Sequence, residues 1–175
     1  MTDPDLRGLI RDIPDFPTAG IVFKDITPLL LDHEAVRFAV QELADWARPR
    51  KVDYVVAAEA RGFILGAALA LELDAGFVPA RKPGKLPADT VSAEYILEYG
   101  VDALEMHADA LAHGARVLIH DDLLATGGTA RALAELVEGL GGNVVGFAFL
   151  VELRFLEGRR RLEGFDICAL LGYDD

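Results

Sequence analysis

Two adjacent carboxylates, Asp121 and Asp122, close an apolar run and stand just ahead of Ala125-Thr126-Gly127-Gly128-Thr129. Glycines at that point let backbone approach a ligand closely, and a helix starting there offers free N–H groups and the positive end of its dipole to a phosphate. Thr126 and Thr129 add hydroxyl donors. Two acids beside a phosphate would repel it, so their task is a different one: accepting hydrogen bonds from vicinal sugar hydroxyls. A ribose 5-phosphate satisfies both halves of the motif. No Lys follows the glycines, which sets the loop apart from a Walker A sequence, and the G-x-G-x-x-G of dinucleotide folds is missing from it. The plainer reading of an Asp-Asp pair is a capped turn; the glycine loop attached to it favours the sugar-phosphate reading.

These residues need a scaffold that delivers them to one edge. Arg116–His120 reads as a buried strand feeding the acids, followed by a helix with Leu133, Leu136, Val137 and Leu140 on one stripe and Gly141-Gly142 as its stop. Tyr54–Ala58 and Gly76–Ala80 read as further strands, with Glu59-Ala60-Arg61-Gly62 leading into an apolar helix from Phe63 to Leu73, and Val144–Leu150 as a fourth strand. Asp32 is placed to cap a helix over His33–Arg48, ended by Pro49. Ser92–His107 reads as a hairpin turning near Gly100, with helix as the alternative for its second arm. Residues 1–31, with four prolines, read as a short helix and irregular chain forming a hood or lid rather than regular core structure. Alternating strands and helices give an α/β fold with a mostly parallel central sheet flanked by helices. Ligands of such folds bind beyond the carboxyl ends of the strands.

The 175 residues suit one domain spanning 1–175, and 52% hydrophobic residues give it an ample core. A formal net charge of −12 disfavours nucleic acid and anionic membrane as partners, so a polyanionic substrate needs a local basic patch. Arg81, Lys82 and Lys85, spaced by Pro83 and Gly84, supply one, although such loops are commonly just solvated. Cys168 is the single cysteine and sits in an apolar stretch, as an inert buried thiol in a reducing compartment would. The acidic, proline-containing N-terminus does not read as a signal peptide, and no apolar run approaches the ~20 residues of a membrane span. A soluble cytoplasmic protein is expected. His33, His107, His113 and His120 are scattered and read as structural or surface groups.

The run LIHDDLLATGGTARAL resembles the phosphoribosyl pyrophosphate (PRPP) motif of the type I phosphoribosyltransferases. PDFPTAGIVFKDITPLL from Pro14, EARGF from Glu59, RKPGKLP from Arg81, LEYG from Leu97 and Val151-Glu152-Leu153 are similar, in the same order, to the adenine-using members of that family. The resemblance spans nearly the whole chain. It implies purine salvage: adenine and PRPP converted to AMP and pyrophosphate, with Mg²⁺ as cofactor, held mainly by substrate oxygens and water rather than by protein ligands. Ala125, Thr126, Gly127, Gly128 and Thr129 would then hold the 5-phosphate, and Asp121 and Asp122 the ribose hydroxyls. Glu59, Ala60 and Arg61 would bind pyrophosphate, in a turn that in this family can contain a non-proline cis peptide, here near Glu59-Ala60.

The resemblance further implies a homodimer in which the Arg81, Lys82 and Lys85 loop reaches the neighbouring subunit's pyrophosphate. Val22 and Leu153 would sandwich adenine while the backbone of Val22, Phe23 and Lys24 reads its edge, with the Phe23 side chain in the hood core. Lys24 stands where the family usually has Arg, which matters if a guanidinium stacks on the base. Glu98 would manage the proton at the purine imidazole nitrogen with Tyr99 closing over it, and residues 85–98 would form a mobile lid; a solvent-facing Glu98 is the plainer reading. Two other functions are compatible with these residues: transfer to xanthine, hypoxanthine or orotate, and a non-catalytic sensor of PRPP or purines.

Overall fold

The computed structural model describes residues 3–97 and 100–175. Its centre is a five-stranded sheet in the order β4-β3-β7-β8-β9, formed by Gly76–Ala80, Tyr54–Ala58, Arg116–Leu124, Asn143–Leu153 and Ile167–Tyr173. Every neighbouring pair is parallel. This is the expected α/β architecture. From β3 the chain winds outward to β4 through α3 (Gly62–Glu72), and later returns to the other side of β3 as β7. The β3/β7 boundary is therefore the switch point where a crevice opens at the strands' carboxyl ends.

The two faces of the sheet are covered differently. On one, α2 (His33–Ala47) and α3 bury Leu43, Ala44, Ala47, Leu69 and Ala70 against Val55, Leu118 and Ala148. Asp32 caps α2 as its sequence predicts, its Oδ1 accepting from Glu34 N and Ala35 N at 3.0 and 3.1 Å. On the other, α4 (Gly128–Gly139) packs beside the antiparallel hairpin of β5 (Thr90–Leu97) and β6 (Gly100–His107), bringing Leu133, Val137, Leu104 and Met106 onto Val117, Ile119 and Phe147.

Three expectations are corrected. Of the segment expected as irregular chain, residues 3–31 are ordered and reach into the core. They form an antiparallel hairpin of β1 (Arg11–Pro14) and β2 (Val22–Asp25), then α1 (Thr27–Leu31). Leu6, Ile10, Ile26 and Leu29 from this segment share one buried cluster with Leu65, Leu150 and Val151. Apolar residues set between prolines lack a periodicity to announce this, yet they bury as well as those of any helix. Second, β7 does not stop at His120 but runs to Leu124, carrying both aspartates inside the strand, because pairing with β8 continues through Leu124↔Glu152. Third, Ile167–Tyr173 is a fifth strand along the open side of β8. Cys168 lies there half-buried, its thiol pushed up in pKa chiefly by burial. Among the described residues no helix is long and apolar enough to cross a membrane.

Candidate active site

Both loops at the switch point are shaped by glycine. Gly127 has φ +82°, and a side chain there would place its Cβ 2.5 Å from the carbonyl oxygen of Gly158. The left-handed turn lets α4 begin at once, so the first-turn N–H groups after Ala125-Thr126 have no acceptor within the helix and face the crevice end of β7. Across the crevice, Gly62 opens α3, and a Cβ on it would sit 2.8 Å from Asp121 Oδ1. The turn before it contains the cis peptide Glu59-Ala60, at the position the resemblance implied.

The paired acids are deep. Asp122 is 4% exposed, and its Oδ2 meets Arg61 Nε at 3.0 Å as an ion pair, without a hydrogen-bond donor among the described residues. Burial raises the pKa of both acids; the Asp122 charge lifts Asp121 further, while Arg61 moderates the rise at Asp122. Arg61 also lies over the Phe23 ring, 4.7 Å from its centre, and Phe23 meets Phe16 edge-on at 5.1 Å. Phe23 is thus half-buried between Arg61 and Phe16 rather than part of the hood's buried cluster. Through Arg61 and Phe23 the acids are tied to the hood strand that carries Val22.

A cavity of about 1110 Å³ brings Val22, Lys24, Leu153, Ala125 and Thr126 together, with Asp102 and Tyr173 on its wall. The base-binding and phosphate-binding candidates therefore open into one space, although they come from segments far apart in sequence. Lys24 is buried at 6% exposure, its Nζ 2.9 Å from Asp12 Oδ1 and 4.1 Å from the Tyr173 ring centre. Arg7 covers the same ring at 4.5 Å. The ammonium is already engaged, and among the described residues β2 pairs with β1 alone, so the outer edge of the strand carries the backbone hydrogen-bonding groups left to offer. Tyr173 escaped sequence reasoning because its strand did.

The basic loop is neutralised within its own chain. Arg81 Nε donates to Glu59 Oε2 at 2.6 Å and Lys82 N to Glu59 Oε1 at 3.1 Å, while the Lys82 ammonium pairs with Asp102. Although burial acts to raise the Glu59 pKa, Arg81 and the Lys82 amide outweigh it and hold the carboxyl below its ordinary value. The Glu59 side chain is thus an anchor for the loop's cations. Arg81 Nη1 also donates to Lys85 O at 3.2 Å, which fixes the turn carrying Lys85. Tyr95 Oη donates to Asp102 Oδ2 at 3.2 Å, joining the hairpin to this network. Glu98 and Tyr99 lie outside the described residues.

The family model for the phosphoribosyl transferase domain matches residues 29–163. The chain is 60% identical over 169 residues to the adenine phosphoribosyltransferase of Thermotoga maritima, covering 97% of this chain and 98% of that one. The chain belongs to the adenine phosphoribosyltransferase family. The crystal structure of the adenine phosphoribosyltransferase from Thermoanaerobacter pseudethanolicus superposes with a TM-score of 0.94 at 56% identity, over 97% of this chain and 98% of that one. The Saccharomyces cerevisiae adenine phosphoribosyltransferase, solved with adenine and an imino-altritol bisphosphate, superposes with a TM-score of 0.90 at 40% identity, over 95% and 97% of the two chains.

One residue of this phosphoribosyltransferase site reports on folding. His120, next to the acids, is fully buried, and burial lowers its pKa to about 4 against a smaller raising effect from the Ala148 backbone. An unfolded chain protonates imidazole near pH ~6.5. Between that pH and the folded value the unfolded form binds the extra proton, so this residue's contribution to stability falls as the solution is acidified, by about 3 kcal/mol in all. Asp121 and Asp122, with raised pKa values, act in the opposite sense on acidification. Comparison with His120→Val separates the two. On acidification from pH ~6.5 to pH ~4 the unfolding free energy of the parent should drop by about 3 kcal/mol relative to the variant. Parallel curves in denaturant titrations would show that the imidazole is not buried neutral.

Proposed function

We infer that this chain salvages purine by transferring the phosphoribosyl group of PRPP to adenine, yielding AMP and pyrophosphate. The observation that carries the reading is the single cavity joining Val22 and Leu153 to Ala125 and Thr126 beside the switch point. A flat base between two apolar side chains at one end and an anion on helix N–H groups at the other is the layout of a nucleoside 5-phosphate. In this reading Ala125–Thr129 hold the 5-phosphate and Asp121 and Asp122 take the ribose hydroxyls. Adenine lies between Val22 and Leu153, its edge paired with backbone of Val22–Lys24, since an amino group beside a ring nitrogen matches one C=O and one N–H.

Arg61 changes partner during the cycle. With the site empty it neutralises Asp122; when PRPP enters, the sugar hydroxyls supply donors to Asp122 and the guanidinium turns to the diphosphate beside Ala60. Glycosyl transfer passes through a cation-like sugar, so charge carried off by the leaving pyrophosphate must be stabilised by fixed donors. In this scheme Arg61 and the first-turn amides of α3 do this, and Arg81 and Lys82, once released from Glu59 and Asp102, assist with Lys85 from a partner subunit of a homodimer. Residues 85–98 close as a lid, excluding water from the activated sugar. Glu98 manages the proton of the purine imidazole nitrogen and Tyr99 covers the site.

Magnesium enters with the substrate in this scheme. The residues fit such a cation, because Asp122 Oδ2 is a buried acceptor without a hydrogen-bond donor among the described residues, close enough to the sugar site to hold a hydrated ion through water. The ion's contribution is neutralisation of diphosphate charge. A single 175-residue domain working in the cytoplasm completes the reading.

The test is formation of AMP from adenine and PRPP with Mg²⁺, run beside xanthine, hypoxanthine and orotate. Adenine should be the preferred acceptor, with pyrophosphate released in equal amount. Preference for another base would overturn the adenine assignment, and PRPP binding without turnover on any base would replace an enzyme with a sensor.

A further inference from the structure

Behind the phosphate loop the chain doubles back. After β8 ends at Leu153, a turn of 3-10 helix over Gly158–Leu162 brings Gly158 against Gly127 and Ala125. A Cβ on Gly127 would meet Gly158 O at 2.5 Å, and one on Gly158 would overlap Ala125 O. Two stretches of backbone touch with no side chain between them, so the position of one sets the position of the other.

Two anchors hold this turn. Leu162 is buried in the core. Arg159 forks onto Glu152, Nε donating to Oε1 at 2.7 Å and Nη2 to Oε2 at 2.9 Å. A bidentate guanidinium–carboxylate pair fixes orientation as well as distance. Glu152 is 4% exposed, precedes the base-wall residue Leu153, and is in register with Leu124, the residue before the phosphate loop. Neither Glu152 nor Arg159 lines the cavity. The pair thus links the base wall, the end of β7 and the turn that backs the loop, from outside the cavity.

We propose that Arg159 and Glu152 are positioning residues for the phosphate loop: through Gly158 they set where the Ala125–Thr129 amides stand, and so tune the affinity for the 5-phosphate end of PRPP. This rests on the reading of that loop as the phosphate site. Displacement of a binding group by an ångström costs up to ~10²-fold in rate, and a loop that keeps its Leu162 anchor shifts by less.

The experiment measures KM for each substrate and kcat in Arg159→Gln, Arg159→Lys and the double variant Glu152→Gln/Arg159→Gln. The double variant matters because removing Arg159 alone strands a buried carboxylate, which can unfold the chain. Expected is a rise of about tenfold in KM for PRPP in the folded double variant, with KM for adenine and kcat within about twofold of the parent. Arg159→Lys, which keeps the charge but loses the fork, should lie between. An unchanged KM for PRPP in the double variant, or equal rises for both substrates, overturns the proposal. Gly127→Ala, measured alongside, separates the two levels: if it too leaves KM for PRPP untouched, the phosphate-site reading itself falls, whereas if it alone raises that KM, only the brace does.

Discussion

Gly127→Ala should lower kcat/KM for PRPP by roughly 10²–10³-fold while the chain stays folded. Two penalties act on the same residue. Its φ of +82° lies in the left-handed region, which costs an alanine ~1–2 kcal/mol, and the new methyl would stand 2.5 Å from Gly158 O. The neighbour is backbone, so the loop must move, and its amides leave the position where a phosphate would meet them. A loss of three to four kcal/mol is about 10²–10³-fold. Circular dichroism should report a native chain, and inhibition by ribose 5-phosphate should weaken in parallel. Unaltered inhibition by that ligand would place the phosphate elsewhere.

Asp121→Asn should move activity and stability in opposite directions. The carboxylate sits well above its ordinary pKa because burial, and then the charge of Asp122, disfavour ionisation. A group with a raised folded pKa stabilises the fold in acid and loses that contribution as pH rises through the folded value. Asn carries no such cost, so the variant should match or exceed the parent in melting temperature at neutral pH and lose that advantage in acid. Catalysis should suffer, because a sugar hydroxyl donating to Asp121 favours its ionised form, and such a charge-assisted bond contributes ~1.5–3 kcal/mol where an amide contributes less, which gives a fall of about 10-fold to 10²-fold in kcat/KM for PRPP. Thermal melts at several pH values together with PRPP kinetics check both halves. A variant as active as the parent would remove Asp121 from the sugar site.

The parts of this molecule legible from its residues are those governed by local rules. Tyr54–Ala58 and Gly76–Ala80 are strands over the residues expected, because each is a short apolar run between turn signals. Asp32 caps its helix for a reason contained within four residues. The turn into α4 was legible because the glycines of Thr-Gly-Gly-Thr make their demands on the backbone alone. What escaped depends on distant partners. Nothing near Ile167 says that β8 has an unpaired side waiting for it, and nothing near Gly158 says that Ala125 will lie against it. The extension of β7 through Asp121 and Asp122 was hidden by their charge, which reads as the end of a buried strand until pairing with β8 is seen to continue. Arg81 and Lys82 were legible as a basic patch, but their engagement by Glu59 and Asp102 was not, since each pair joins residues from separate elements.

The first residues of the chain also restrict how a base gets in. Leu6, Ile10, Ile26 and Leu29 belong to the same buried cluster as Leu150 and Val151 of the central sheet. Swinging that segment aside would wet all four side chains at ~1.5–3 kcal/mol each, an expense comparable to unfolding the molecule. The cavity is open to solvent where Val101 and Phe155 border it and are exposed, so a base can reach it without that segment moving. Held by those four side chains, the hood serves the cavity as a packed wall rather than as a flap over it.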